Sequence, residues 1–386
     1  METLYLKTGA QRRLQRGHPW VFSNEIDTQR SPLKTLDSGC LVSVHSSEGR
    51  PLGVGFASPA SLVCVRILTR DAELPDDWLA RALGRALSWR ERCFDQPYYR
   101  LVFAEGDDLP GLVVDRYDDL LVVQTSTWGM EQRREEIQAA LVRLLPMAQV
   151  CFDDTSHARS LEGLPSVPRT DAGPSVVIEN GVRMRLPVDG SGQKTGWFYD
   201  QRSNRERARP WYKGASVLDL YSYAGGWGIQ AGVAGGREVT CVDSSQSALD
   251  AAAASAQELE LPLVCVKSKV EDFLATAADA GQSWDLVVLD PPALIRRRRD
   301  ESRGTAKYRS ITRAAMGVVK PGGLLISCSC SVHLSAEAHL AMARGAARGA
   351  RRQLRVVGEG GPGADHPTLP MLPESRYLSC WYFRVD

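Results

Sequence analysis

From Ser216 onward, short apolar runs alternate with helix-patterned stretches: VLDLY (217–221), EVTCVD (238–243), LVCVKS (263–268), DLVVLD (285–290) and GLLISCSC (323–330), with a closing pair near LRVVGE and CWYFRV. Strands buried on both faces read as near-continuous apolar runs, and strands separated by helices cannot pair as hairpins. This half of the chain is therefore expected to form a parallel, doubly wound α/β sheet. Sheets of that kind bind ligands beyond the carboxyl ends of their strands, so the residues that close each strand are the candidates for chemistry.

The rest of the chain has a different rhythm. Between Cys40 and Thr69, β-rich segments are broken by Gly, Pro and Ser, which predicts a small all-β module. The preceding stretch, LKTGAQRRLQRGHPWVFSNEI, sets Lys7, Arg12, Arg13, Arg16 and His18 beside Trp20 and Phe22, a mixture suited to RNA and equally readable as surface charge. A helix is expected over 78–93 and a second over 130–145. Strands are expected at 99–104, 112–116 and 120–125, with a hairpin over 175–188 turning at Asn180-Gly181. The expected domains are residues 1–72, β-rich; 73–188, α+β; and 189–386, the doubly wound sheet.

With 47 Lys plus Arg against 46 Asp plus Glu, the 386 residues carry a net charge of +1, so any polyanion site must be a local patch. No apolar run reaches the roughly 18 residues of a membrane helix, and the start lacks a signal-peptide core; a cytoplasmic protein is expected. Nine cysteines are scattered without a C-x-x-C pair, so neither disulfides nor a metal site is signalled.

The first strand of the sheet runs into YSYAGGWG, which places Tyr221, Tyr223, Gly225, Gly226 and Gly228 in a strand-to-helix turn where backbone can approach a ligand closely. The turn does not fit G-x-G-x-x-G and is a weak signal alone. Asp219 just before it and Asp243, with Ser244, at the end of the next strand add two carboxylates. They suit a cationic, phosphate-free adenosine ligand better than a pyrophosphate: Asp243 for the ribose hydroxyls, Asp219 for an amino group. S-adenosyl-L-methionine fits; the alternative is a pair of ordinary strand-end polar residues.

Asp290-Pro291-Pro292 closes the fourth strand, where the prolines stiffen the exit and aim the carboxylate. Ala293 follows, so no aromatic ring stands there to stack on a flipped base, which disfavours an exocyclic amine as target. On the fifth strand Ile326, Cys328 and Cys330 share one face. A buried, inert cysteine is the commoner fate of such a residue, but a thiolate added to carbon 6 of a pyrimidine would make carbon 5 nucleophilic toward a methyl sulfonium. Asp290 would then orient the base and stabilise the charge that develops on it. The next loop and helix carry Arg296, Arg297, Arg298, Arg299, Arg303, Lys307, Arg309 and Arg313, a phosphate-binding patch on a near-neutral chain. The basic stretch from Arg344 to Arg355 reads as a solvated helix face.

GQKTGWFYDQRSNR (192–205), VLDLYSYAGGWG, CVDSSQSALD, DLVVLDPPAL, LLISCSCS and ADHPTLP (364–370), together with RGHPWVFSNEI and EGDDLPGLVVDRY (105–117), resemble the bacterial 23S ribosomal RNA large subunit methyltransferase I group, which makes 5-methylcytosine. The resemblance covers essentially the whole chain. It implies an N-terminal PUA RNA-binding domain, a central α+β domain and a class I methyltransferase domain using S-adenosylmethionine. It implies 23S rRNA as partner and leaves room for a homodimer. By resemblance Cys328 is the nucleophile, with Cys330 as second choice, while Lys194, Thr195, Asp200, Gln201 and Arg202 close over cofactor and base. Asp272, or Glu271 beside it, stands nearest to where the adenine amino group is read. The rival readings are a methyltransferase acting on a purine amino group or ring nitrogen without covalent catalysis, and a non-catalytic RNA-binding assembly factor.

Overall fold

The computed structural model describes residues 1–167, 173–187, 195–295 and 297–386. They form two compact units, 1–173 with 364–375, and 174–363 with 376–386.

The first unit opens with β1 (Glu2–Tyr5), α1 (Gln11–Gln15), β2 (Trp20–Phe22), β3 (Leu41–His45), β4 (Pro51–Ala57) and β5 (Val63–Thr69), a five-stranded sheet in the order β1-β3-β4-β5-β2. Then come α2 (Trp78–Cys93), β6 (Tyr98–Phe103), β7 (Leu112–Tyr117), β8 (Leu120–Thr125), α3 (Trp128–Glu131), α4 (Arg134–Leu144), β9 (Gln149–Phe152) and α5 (His157–Leu161), with β6 to β9 in one sheet in sequence order. The boundary expected at residue 72 does not divide compact units. Phe56 of β4 packs into the core of α2 and β6–β8, and a Cβ at Gly129 of α3 would sit 2.2 Å from its ring. Residues 364–375 complete this unit: Asp365 accepts from the Arg90 guanidinium and the Arg100 amide, and a Cβ at Gly106 would meet the Pro367 carbonyl. The HPW, EGDD and ADHP motifs thus share one unit.

The second unit begins with the hairpin β10 (Val176–Glu179) and β11 (Val182–Arg185), whose turn residues Asn180 (φ 51°) and Gly181 (φ 76°) both take the left-handed backbone that a two-residue hairpin needs. Next come α6 (Arg202–Ala208), β12 (Ser216–Leu220), α7 (Gly226–Val233), β13 (Glu238–Asp243), α8 (Gln246–Glu258), β14 (Leu263–Lys267), α9 (Val270–Asp279), β15 (Trp284–Leu289), α10 (Glu301–Gly317), β16 (Val319–Ser329), α11 (Ala336–Ala350), β17 (Leu354–Gly360) and β18 (Ser379–Val385). The sheet order is β14-β13-β12-β15-β16-β18-β17, with β18 antiparallel to both neighbours. Its order reverses beside β12, so the strand ends carrying Asp219, Asp243 and Asp290 meet at the switch point. Separate apolar cores cover its two faces. The hairpin, expected with the middle domain, belongs here because it is fastened to α8: Ser255 Oγ accepts from the Arg185 amide at 2.8 Å, and Glu258 pairs with Arg183 and Arg185. Among the described residues no helix is long and apolar enough to cross a membrane.

Candidate functional site

The hairpin contributes what the sequence reading missed. Glu179 lies on the buried face of β10 beside Val177, 1% exposed. Its carboxylate accepts from Trp197 Nε1 (2.8 Å), Arg205 Nη1 (2.7 Å) and Gln230 Nε2 (2.9 Å), with Arg202 Nε at 3.8 Å. A buried carboxylate persists only with such partners, and these fix the segment from Trp197 to α6 against α7. From that segment Gln201 donates to Asp290 Oδ1 (2.9 Å) and accepts from Asn204 (2.6 Å). Asp200 accepts from the Tyr377 hydroxyl. Arg202, expected at the cofactor, faces Glu179 and the Tyr199 ring instead. The one signal for the hub was a Glu on the apolar face of a predicted strand.

The glycine turn has the geometry of a ligand cradle. Tyr221 (φ 60°), Tyr223 (φ 49°) and Gly225 (φ 76°) are left-handed, an arrangement that for tyrosines is uncommon and held by neighbours. Asp243 holds Tyr223 in this way, accepting from the amides of Tyr223 and Ser245, both at 2.9 Å. Each of its oxygens keeps a second lone pair with which to receive a hydroxyl. A Cβ at Gly226 would sit 2.9 Å from the Trp197 ring and one at Gly228 2.4 Å from Cys241 Sγ, so only glycine lets α7 start this close to Trp197 and β13. Ser244 is exposed beside the turn. Glu271 and Asp272 are both exposed on α9, and the Tyr221 phenol pKa is raised by burial first and then by the charge of Glu271. Of the two acids, Glu271 is the one whose charge reaches the Tyr221 phenol.

Asp219 is fully buried; its Oδ2 accepts from the Gly228 amide at 2.9 Å and its Oδ1 has no hydrogen-bond partner. Burial, reinforced by Asp290, pushes its pKa up to about 8 against the Gly228 hydrogen bond. An unsatisfied buried acceptor is costly, and an ammonium group would satisfy it, so the residues fit the amino end of S-adenosylmethionine. Between about pH 4, where the unfolded carboxyl ionises, and pH 8, where the native one does, the native state holds the extra proton. This contribution is fully present below that window and is lost as pH rises through it, by about 1.4 kcal/mol per unit at most. Urea unfolding followed across that range should therefore show a shallower decline for Asp219→Asn than for the wild type, and parallel curves would refute the assignment.

The two thiols on β16 part company. Cys328 is 1% exposed, embedded with Ile326, Val288 and Tyr382 and 3.4 Å from Cys380 Sγ on β18; burial, and then that second thiol, push its pKa well up. Such a cysteine neither ionises readily nor meets an outside ring, and the expectation of Cys328 as nucleophile is revised on that ground. β16 ends at Ser329, so Cys330 lies beyond the pleat, half-buried, with Sγ 3.9 Å from the Pro291 carbonyl oxygen. Asp290, half-buried, accepts from Gln201 and from Trp227 Nε1 (3.1 Å), and burial lifts its pKa to about 6 against those donors. A fixed carboxylate and a reachable thiol therefore stand on adjacent strand ends beside the glycine turn.

The expected RNA contacts divide. Arg297, Arg298 and Arg299 are exposed just past the Asp290-Pro-Pro exit and make no ion pair among the described residues. Arg303 pairs with Asp300 and Lys307 with Glu271, both at the surface. In the first unit Arg12 and Arg16 are exposed and Lys7 donates to the Asn24 carbonyl, but Arg13 is committed to Glu25 (2.8 Å) and the Phe22 ring. Trp20 is likewise tied to Glu105. Lys194 and Arg296 lie outside the described residues.

A PUA-like domain model matches residues 4–70, and a model for an S-adenosylmethionine-dependent methyltransferase matches 166–356. The chain is 34% identical to "Ribosomal RNA large subunit methyltransferase I" of Shewanella amazonensis, covering 98% of both chains. It is 31% identical to the protein of the same name from Serratia proteamaculans, covering 99% of both. A solved methyltransferase structure from Streptococcus mutans shares the fold over 100% of both chains (TM-score 0.80, 19% identity), as does a methyltransferase complexed with SAH (TM-score 0.81, 19% identity). With a methyltransferase model over residues 166–356 and relatives this similar along their whole length, the chain belongs to the ribosomal RNA large subunit methyltransferase I family of S-adenosylmethionine-dependent methyltransferases.

Proposed function

We propose that the protein methylates carbon 5 of a cytosine in 23S ribosomal RNA, with Cys330 as nucleophile and Asp290 as the residue that orients the base. The half-buried thiol beside Pro291, next to a carboxylate held by Gln201 and Trp227, carries this reading, and the names of the relatives support ribosomal RNA as substrate. The Cys330 thiolate adds to carbon 6, which moves electron density onto carbon 5 and N3. Asp290, with a pKa near 6, accepts from the base amino group when ionised or donates to N3 when protonated, stabilising the charge that develops there. S-adenosylmethionine supplies the electrophilic methyl group and leaves as the neutral thioether. Carbon 5 then gives up its proton, the sulfur–carbon 6 bond breaks, and the thiolate and aromatic ring are restored.

Ala293, where an aromatic would stack on a flipped base, weighs against a purine-amine target. Arg297 to Arg299 together with exposed Arg12 and Arg16 would hold the RNA backbone, and the reaction places the protein in the cytoplasm. Incubation with deuterated-methyl S-adenosylmethionine and 23S RNA lacking the modification, followed by nucleoside mass spectrometry, should yield labelled 5-methylcytidine. Label on a purine would overturn the pyrimidine reading, and RNA binding with no label and no cofactor affinity would make the protein an assembly factor.

A further inference from the structure

The outer face of the second unit carries a charge pattern that the site does not use. Helices α10 and α11 run side by side in the same direction, because a Cβ at Gly345 would lie 3.5 Å from Arg309 Nε and one at Gly349 3.3 Å from Arg313 Cδ. The absence of side chains at 345 and 349 leaves the room in which those two arginine stems lie across α11. Arg344 and Arg348, each next to one of these glycines and exposed, stand beside them. The result is a two-by-two set of guanidinium groups with a step of four residues on each helix, about 6 Å along the axis.

None of Arg309, Arg313, Arg344 and Arg348 makes an ion pair among the described residues. The acidic residues of these helices stand at their starts: Asp300 and Glu301 before and at the first turn of α10, Glu337 in the first turn of α11. On a chain of net charge +1, four arginines left together without counter-charges are a concentrated field, not a share of a uniformly basic surface. Both helices start at the end of the sheet that holds the site. The four groups therefore lie roughly 12 to 18 Å down the flank from it, in line with exposed Arg297 to Arg299 at the top.

We propose that this α10–α11 face is a second RNA-contact surface, which grips the phosphate backbone of the target RNA away from the nucleotide that reacts. The guanidinium group suits phosphate by its planar, bidentate donors, and contacts of this kind set register without reading sequence. The inference rests on RNA being the substrate, and it goes further by assigning a footprint longer than the reactive loop. Since each neutralised phosphate releases counterions, the surface has a distinctive signature: removing it changes the salt dependence of binding as well as the affinity.

The test replaces all four residues (R309Q/R313Q/R344Q/R348Q) and measures binding to protein-free 23S RNA over a series of salt concentrations. The expected result is a loss of roughly tenfold or more in affinity at moderate salt and a log–log salt slope shallower by up to about 3, with S-adenosylmethionine affinity unchanged. The pair R344Q/R348Q should methylate a short RNA spanning only the reactive site at the wild-type rate. Should the fourfold variant fold poorly, the pairs R309Q/R313Q and R344Q/R348Q should each give part of the effect. Wild-type affinity and slope in the variants would overturn the proposal. Failure of the wild-type protein to methylate RNA at all would instead overturn the proposed function.

Discussion

Cys330→Ala should lower methyl transfer by roughly 10³-fold or more, the scale lost when a covalent nucleophile is removed, while Cys328→Ala keeps turnover within a few-fold. The two sulfurs are two residues apart, yet only the second stands outside the buried core. Cys328 is sealed among Val288, Ile326 and Tyr382 with Cys380 against it, so its truncation leaves a small cavity and should cost about 1 to 2 kcal/mol of stability. Cys330 lies past the end of β16 beside the Pro291 carbonyl, where a base presented by Asp290 would meet it. Single-turnover assays with both variants, and trapping with RNA containing 5-fluorocytosine, read the difference directly. An adduct should form with the wild type and with Cys328→Ala but not with Cys330→Ala. The reverse pattern would return the role to the buried thiol.

The second large effect is expected far from either thiol. Glu179→Ala removes the carboxylate shared by Trp197, Arg205 and Gln230 and leaves the Arg205 guanidinium buried without its counter-charge. Removing one member of such a buried pair typically costs about 3 to 5 kcal/mol. Because the same contacts hold the segment that delivers Gln201 to Asp290, both urea stability and S-adenosylmethionine affinity should fall. Glu179→Gln retains an acceptor of the same shape and should lose distinctly less. A loss below about 1 kcal/mol for the alanine variant would show that the charge is compensated elsewhere.

Much of this arrangement is legible in the sequence. The sheet showed itself because its strands are apolar on both faces, and the turn because a Gly-rich stretch followed the first of them with carboxylates at two strand ends. What escaped the sequence has a common physical origin. Period-two alternation placed Cys328 and Cys330 on one face, but alternation holds only within a strand, and β16 stops at Ser329. Spacing could not tell Glu271 from Asp272, because which of two adjacent acids exerts its charge on Tyr221 depends on the rotation of α9. Arg13 looked like a ligand for RNA until Glu25, twelve residues on, was seen to occupy it. Glu179 offered only its place on an apolar strand face, because its partners come from two distant stretches of chain, 197–205 and Gln230.

The return of residues 364–375 to the first unit, followed by β18 in the second, bears on how the molecule is made. The first unit is not complete until residues 364–375 have been made, nor the second until β18 follows them. Until then Arg90 and the Arg100 amide wait for Asp365, and β16 and β17 each lack the strand that separates them. Cys328, sealed in the mature sheet, stays uncovered on that side for as long as Cys380 is unsynthesised. Late nascent chains should thus carry two open seams until residues 364–375 emerge, and a chain stopped within β18 would close the first and leave the second open.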